Sequence, residues 1–149
     1  MTPDGISAED WDRVAEAACQ IVNASAMDDE ILCAHHTCAL FEILDELESQ
    51  YGRIPSILAT RADFSDDPQV AIPLLEEALA VSSDDLLSML TLHSLVSLMM
   101  GGNYNDAEME IRLSELERLG DDQSDPWCLE EAREFRTEFE RNKAERDGG

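Results

Sequence analysis

Two cysteines and two histidines within six positions form the densest group of potential metal ligands in the chain. The segment reads Cys33-Ala34-His35-His36-Thr37-Cys38. On a helix, Cys33 and His36 share a face, as do His35 and Cys38, and each pair could hold one side of a zinc or copper ion. The two pairs point in substantially different directions, so one helix cannot supply four tetrahedral ligands. We therefore expect no metal and no cofactor.

The sequence signatures of enzymes are absent elsewhere. There is no G-x-S-x-G nucleophile motif, no glycine-rich phosphate loop and no H-E-x-x-H zinc motif. His93 lies in an apolar stretch, and the sequence places no nucleophile beside it. We interpret His93 as a core or groove histidine rather than a general base, and we expect a protein without enzymatic activity.

The chain is strongly acidic. Ten Lys and Arg residues stand against 34 Asp and Glu residues, which gives 149 residues a formal net charge of −24 at pH 7. A protein that binds nucleic acid must supply cations to the phosphates, and an anionic membrane selects for the same charge. We therefore expect neither nucleic acid nor a membrane as a partner. A basic partner, a salty habitat and genome composition all remain explanations of the acidity.

Length and composition indicate the fold class and the compartment. The length is that of one domain, and Ala, Leu and Glu dominate over β-branched residues, which favours helices. The N-terminus lacks the basic and apolar regions of a signal peptide, and the four cysteines have no paired spacing. These features predict a cytoplasmic protein with reduced thiols.

Helix caps and helix breakers divide the chain into seven predicted helices. Ser7-Ala8-Glu9-Asp10 resembles a capping box, Gly52 is a helix stop, and Asn103 is a candidate cap for the sixth helix. Pro73 predicts either a kink or a late start in the fourth helix. We expect one all-α domain over 1–149, with antiparallel hairpins at about 7–50, 54–81 and 84–120 and a final helix at about 126–145.

Two of the predicted helices share a pattern of small and large residues. Ala71-x-x-x-Leu75-x-x-Ala78 recurs 36 positions later as Ala107-x-x-x-Ile111-x-x-Ser114, after Gly102-Asn103-Tyr104. The pattern resembles the second helix of a tetratricopeptide (TPR) repeat, whose period is about 34 residues. The resemblance covers about 52–121 well and 8–50 loosely. It implies three TPR-like hairpins, a capping helix and a concave face that binds a partner.

The TPR resemblance also implies which residues line that concave face. The fifth helix is apolar around its circumference, and the stripe of Met89, Leu92, Val96 and Met99 would face inward to accept an apolar segment. In the same register, three carboxylates would rim the groove and favour a basic partner: Asp12, Glu16 and Asp63. The alternative is that the last helix or the long second helix covers the stripe.

These observations lead to two hypotheses of function. The first is a non-enzymatic interaction module that holds an apolar and basic segment of a protein partner in its concave face. The second is an acidic inhibitor, such as an immunity protein, or a secretion-type chaperone that neutralises a basic partner. Homodimerisation through the fifth helix also stays open.

Overall fold

A computed structural model describes residues 1–148 and confirms the predicted all-α fold. The helices are Ala8–Ala26 (α1), Glu30–Tyr51 (α2), Pro55–Asp63 (α3), Pro68–Val81 (α4), Asp85–Met100 (α5), Asp106–Asp122 (α6) and Pro126–Gly148 (α7). The described residues contain no strand. None of these seven helices has the length and apolar character that crossing a bilayer requires.

Side-chain caps begin several helices, and the cap of α1 is the one that the sequence predicts. The Ser7 hydroxyl accepts the backbone N–H of Asp10 at 3.2 Å, and the Asp29 carboxylate accepts that of Leu32 at 2.9 Å. The cap of α6 is Asn105 and not the predicted Asn103. Asparagine caps a helix equally well at either position, so the local sequence does not choose between them.

The fourth helix begins at Pro68 and continues through Pro73. The carboxylate of Asp67 caps it by accepting the backbone N–H of Gln69 at 2.9 Å. Proline has no backbone N–H, so the carbonyl of Gln69 lacks the donor that residue 73 would otherwise supply. The N-terminal part of α4 therefore lacks one of the backbone hydrogen bonds of a regular helix.

The helices pack in chain order around two hydrophobic cores. The hairpin of α1 and α2 encloses the first core, which includes Val14, Leu40 and Leu44. Residues of α3 to α7 form the second core, and α3 contributes to both, with Ile57 in the first and Ala62 in the second. At the centre of the second core, α5 packs against α3, α4, α6 and α7.

Arginine side chains connect the N-terminal helices to one another. Arg13 of α1 pairs with Glu46 of α2, with 2.6 Å between Nη2 and Oε2. Arg53, in the loop between α2 and α3, pairs with Glu77 of α4 at 2.7 Å. These pairs join separate elements of the fold, so some of the few cations of the chain are used to hold helices together.

The C-terminal helix is held to α6 in the same way. Half-buried Arg136 pairs with both Glu110 and Glu117 of α6, the second pair at 2.5 Å. Arg146 pairs with Asp106 at 2.6 Å. Hydrogen bonds to Glu117, the largest cause, and to Glu110 raise the pKa of the Arg136 guanidinium.

Replacement of Arg136 by methionine is expected to lower the free energy of unfolding by about 1–2 kcal/mol, because two carboxylates of α6 lose a shared, partly buried partner. Arg133→Met is the matched control, since Arg133 is exposed and forms no ion pair within residues 1–148. Urea denaturation of both variants measures the difference. Equal destabilisation would show that the Arg136 network does not hold α7 in place.

Candidate functional site

The predicted partner-binding stripe of α5 lies inside the protein. Met89, Leu92 and Val96 are completely buried, and Met99 is 7% exposed. All four side chains belong to the core formed by α3 to α7. The expectation of an open apolar stripe is therefore corrected, and the packing of α7 on α5 agrees with the alternative that the last helix covers it.

A different face of α5 reaches the surface. Leu86 and Leu90 are 43% and 44% exposed, and His93 is half-buried one turn further on. The His93 Nε2 atom lies 3.1 Å from a carboxylate oxygen of Glu131, and its ring centroid lies 4.6 Å from that of Trp127. His93 thus joins α5 to α7. Periodicity could not select the exposed face, because α5 has apolar residues on all sides.

The two copies of the repeat pattern occupy different environments. In α4, Ala71, Leu75 and Ala78 are buried, as the TPR resemblance implies. In α6, the corresponding residues are exposed, and Ile111 has 67% of its surface in solvent. The buried face of α6 carries other residues instead, namely Met109, Leu113, Leu116, Leu119 and Gly120. The packing that the resemblance implies therefore applies to α4 and does not extend to α6.

The three carboxylates predicted to rim one groove do not share a site. Asp63 lines a cleft of about 600 Å³ between the α1–α2 turn and the α3–α4 turn. Asp12 and Glu16 are exposed on α1 and do not line that cleft. Asp63 is an exposed residue, but nearby protein atoms partly desolvate its carboxyl group, and this desolvation raises its pKa.

The Cys33–Cys38 segment borders the same cleft without forming a metal site. Both cysteines line the cleft, whereas His35 and His36 do not. Among the described residues, no group of three or more His, Cys, Asp and Glu side chains could hold a metal ion. The helical geometry that separates the two Cys–His pairs is the physical reason.

A larger cleft, of about 850 Å³, runs between α4 and the connection from α5 to α6. We call it the α4–α6 groove. Ile72 and Pro73 of α4 form one apolar wall, and Leu98 and Tyr104 form the other. Met99 also lines it, as the one residue of the predicted stripe that borders a cleft. The groove therefore offers an apolar surface assembled from two separate segments of the chain.

Three carboxylates add negative charge to the α4–α6 groove. Asp67, Glu76 and Glu108 line it, and none of them forms an ion pair within the described part of the chain. By contrast, Glu77 of α4 and Asp106 of α6 are paired with arginine. The chain has no Lys or Arg from position 62 to position 111, and every residue of the groove lies in that interval.

Backbone groups of α5 and α4 add further acceptors to the groove. The last turn of α5 lies in its wall and contains no basic residue. The C-terminal end of a helix carries a negative partial charge, and its last carbonyl groups lack intrahelical donors. Gln69, whose carbonyl loses its donor to Pro73, also lines the groove. The α4–α6 groove therefore combines apolar walls with three carboxylates and the C-terminal end of α5.

Comparison with protein-family models, curated proteins and solved structures finds no match for this chain. The resemblance to TPR repeats rests on the residue pattern alone. Functional interpretation therefore depends on the surfaces and charges of the structure.

Sequence reasoning did not identify the α4–α6 groove. Its walls come from 67–76 and 97–108, and local periodicity does not reveal that these segments meet. Two sequence signals do point to it. One is the long interval without Lys or Arg, and the other is a proline inside α4, which breaks a helix rule without a local reason.

Truncation of Leu92 to alanine is expected to cost about 2–5 kcal/mol of unfolding free energy, because Leu92 is completely buried. Leu90→Ala, on the exposed face of the same helix, is expected to cost less than about 1 kcal/mol. Thermal or urea unfolding checks both. Similar costs for the two variants would contradict the assignment of buried and exposed faces.

Replacement of Asp63 by asparagine is expected to raise the free energy of unfolding at neutral pH. The raised pKa means that the folded protein binds this proton more tightly than the unfolded chain does, so the charged form opposes folding. That cost disappears as the pH falls below the unfolded-state pKa, so the gain should shrink toward zero at ~pH 3. Asp12→Asn is the control, because Asp12 does not line the cleft. A gain that is larger in acid than at neutral pH would refute the assignment.

Proposed function

We propose that this chain is a non-enzymatic interaction module that binds a segment of a protein partner in the α4–α6 groove. The single observation that carries the proposal is an apolar groove whose three carboxylates have no cation of their own. Apolar walls with a charged, exposed rim have the composition of a protein interface, with a dry centre and a solvated edge. A basic segment with apolar side chains is complementary to both parts.

The proposed binding surface differs from the concave face that the TPR resemblance implies. Of the four residues of the α5 stripe, Met99 lines the groove, and the other three lie in the core. A TPR-like arrangement stays part of the proposal for α3 to α5, where the buried small residues of α4 support it. We also place the module in the cytoplasm, because its four cysteines are free and would stay reduced there.

Neutralisation of a basic partner by overall charge is the second candidate, and the net charge of −24 favours it. An inhibitor of that kind would use long-range attraction across much of its surface. It would therefore tolerate one altered charge wherever that charge is placed. A groove-binding module would respond only to changes in the groove.

Gln69→Arg separates the two candidates, because Gln69 is exposed on the wall of the groove. Arginine preserves helix propensity and places a cation where the partner's cation should bind. Gln20→Arg on α1 is the matched control, since Gln20 is also exposed and the charge change is equal. Circular dichroism confirms that each variant is folded.

Wild type and both variants are immobilised, and a native lysate of the source organism is passed over each at low and at high salt. We expect proteins retained by wild type and by Gln20→Arg to be lost with Gln69→Arg. Equal retention by all three would support binding by overall charge and would refute the groove as the binding site.

A further inference from the structure

The α4–α6 groove contains three carboxylates that pair with no cation of the described residues. They belong to Asp67, Glu76 and Glu108, and Gln69, whose carbonyl lacks the N–H that residue 73 would supply, lines the groove beside them. Asp67 is already engaged as the cap of α4. Glu76 and Glu108 have no ion-pair partner in residues 1–148. A cationic group of a ligand would therefore meet two carboxylates here that no Lys or Arg of the described residues pairs with.

Pro73 determines where one of these acceptors is found. A proline at the sixth position of a helix removes one backbone hydrogen bond and is costly, so an ordinary residue would be more stable there. Its effect is to remove the N–H that would bind the Gln69 carbonyl, and both Gln69 and Pro73 line the groove. Pro68, at the first helical position, has no such consequence, because its N–H would be unpaired in any case.

The end of α5 adds acceptors to the opposite wall. The N–H of Gly101 binds the carbonyl of Ser97 at 3.3 Å, and the N–H of Gly102 binds that of Met99 at 3.1 Å. Within the described residues, the carbonyl of Leu98 is left without a backbone N–H. Leu98 lines the groove, and the turn that follows α5 does not use its carbonyl.

A guanidinium group matches this set of acceptors better than an ammonium group does. It is planar, carries five donors in fixed directions and can bond a carboxylate and a carbonyl at the same time. It is also weakly hydrated and stacks on aromatic rings. Tyr104 already has one guanidinium near its ring, since Arg146 of α7 lies 5.8 Å from the centroid. Tyr104 lines both the groove and the neighbouring cleft that contains Arg146.

We propose that the groove binds an arginine of the partner segment, with Glu76, Glu108 and the Gln69 carbonyl as acceptors. Apolar residues on either side of that arginine pack against Ile72 and Leu98. This inference rests on the proposed function, because it names the chemistry of the partner in the same groove. Pro73 is then a positioning residue, which acts through the carbonyl that it leaves free.

The test begins with a phage-displayed library of random dodecapeptides selected on the wild-type protein. Peptides whose binding is lost with Gln69→Arg are groove ligands, and these are synthesised for fluorescence polarisation. We expect them to share an arginine between apolar residues. Replacing that arginine by citrulline, which keeps its shape and loses its charge, should weaken binding about tenfold or more. Lysine in its place should bind with intermediate affinity.

Three variants of the protein then test the named acceptors. Glu76→Gln combined with Glu108→Gln should weaken binding of the arginine peptide about tenfold or more. The matched control is Glu130→Gln combined with Glu134→Gln, two exposed positions of α7 with the same charge change. Pro73→Ala restores an N–H for the Gln69 carbonyl, so it should raise the melting temperature and weaken the peptide severalfold.

The outcomes distinguish this inference from the function on which it rests. Groove ligands that lack arginine, or that bind equally well with citrulline, would overturn the inference that the groove binds arginine. The groove would then still be an interaction site. Equal loss in the Glu130/Glu134 control would also overturn it, because the effect would then come from overall charge. Unchanged affinity in Pro73→Ala would remove the Gln69 carbonyl from the site. Failure of the library to yield any ligand sensitive to Gln69→Arg would contradict the proposed function itself.

Discussion

The burial of α5 is the constraint on which the rest of the structure depends. Its sequence is apolar around the whole circumference, so it is stable only when neighbours surround it, and α3, α4, α6 and α7 do so. The two helices that follow α5 in the chain cover it from different sides. The cover ends at its last turn, around Leu98, and the α4–α6 groove lies there. The same helix that organises the core thus creates the candidate binding surface at its end.

Because the chain has few positive charges, its surface has two kinds of region. In one kind arginines pair with carboxylates, and in the other the carboxylates have no cationic partner. Ten cations cannot neutralise 34 carboxylates, and several arginines are placed between helices, where each pair helps to fix packing. Arg53, Arg136 and Arg146 reach carboxylates of α4 and α6 that face neighbouring elements. The carboxylates that face the groove receive none. The negative charge therefore matters most at the α4–α6 groove, where carboxylates without a cationic partner lie next to an apolar surface.

The sequence predicted the helices well because their signals are local. Caps such as Ser7 and Asp29 and stops such as Gly52 act within one turn, so seven helices could be placed without knowledge of their packing. Pairing between distant segments could not be predicted in this way. Periodicity could not choose the exposed face of α5, and a sequence pattern in α6 resembled a repeat although Ile111 faces solvent. The groove could not be predicted either, since it requires α4 and the α5–α6 connection to meet.

Heteronuclear NMR on the ¹⁵N-labelled wild-type protein tests binding in the α4–α6 groove most directly, because it locates the residues that an arginine peptide contacts. Binding in the α4–α6 groove would concentrate amide shift changes in 67–76 and 97–108, with intermolecular contacts from the peptide's apolar residues to Ile72 and Leu98. Shift changes confined to the α1–α2 hairpin, or spread evenly over the acidic surface, would contradict it.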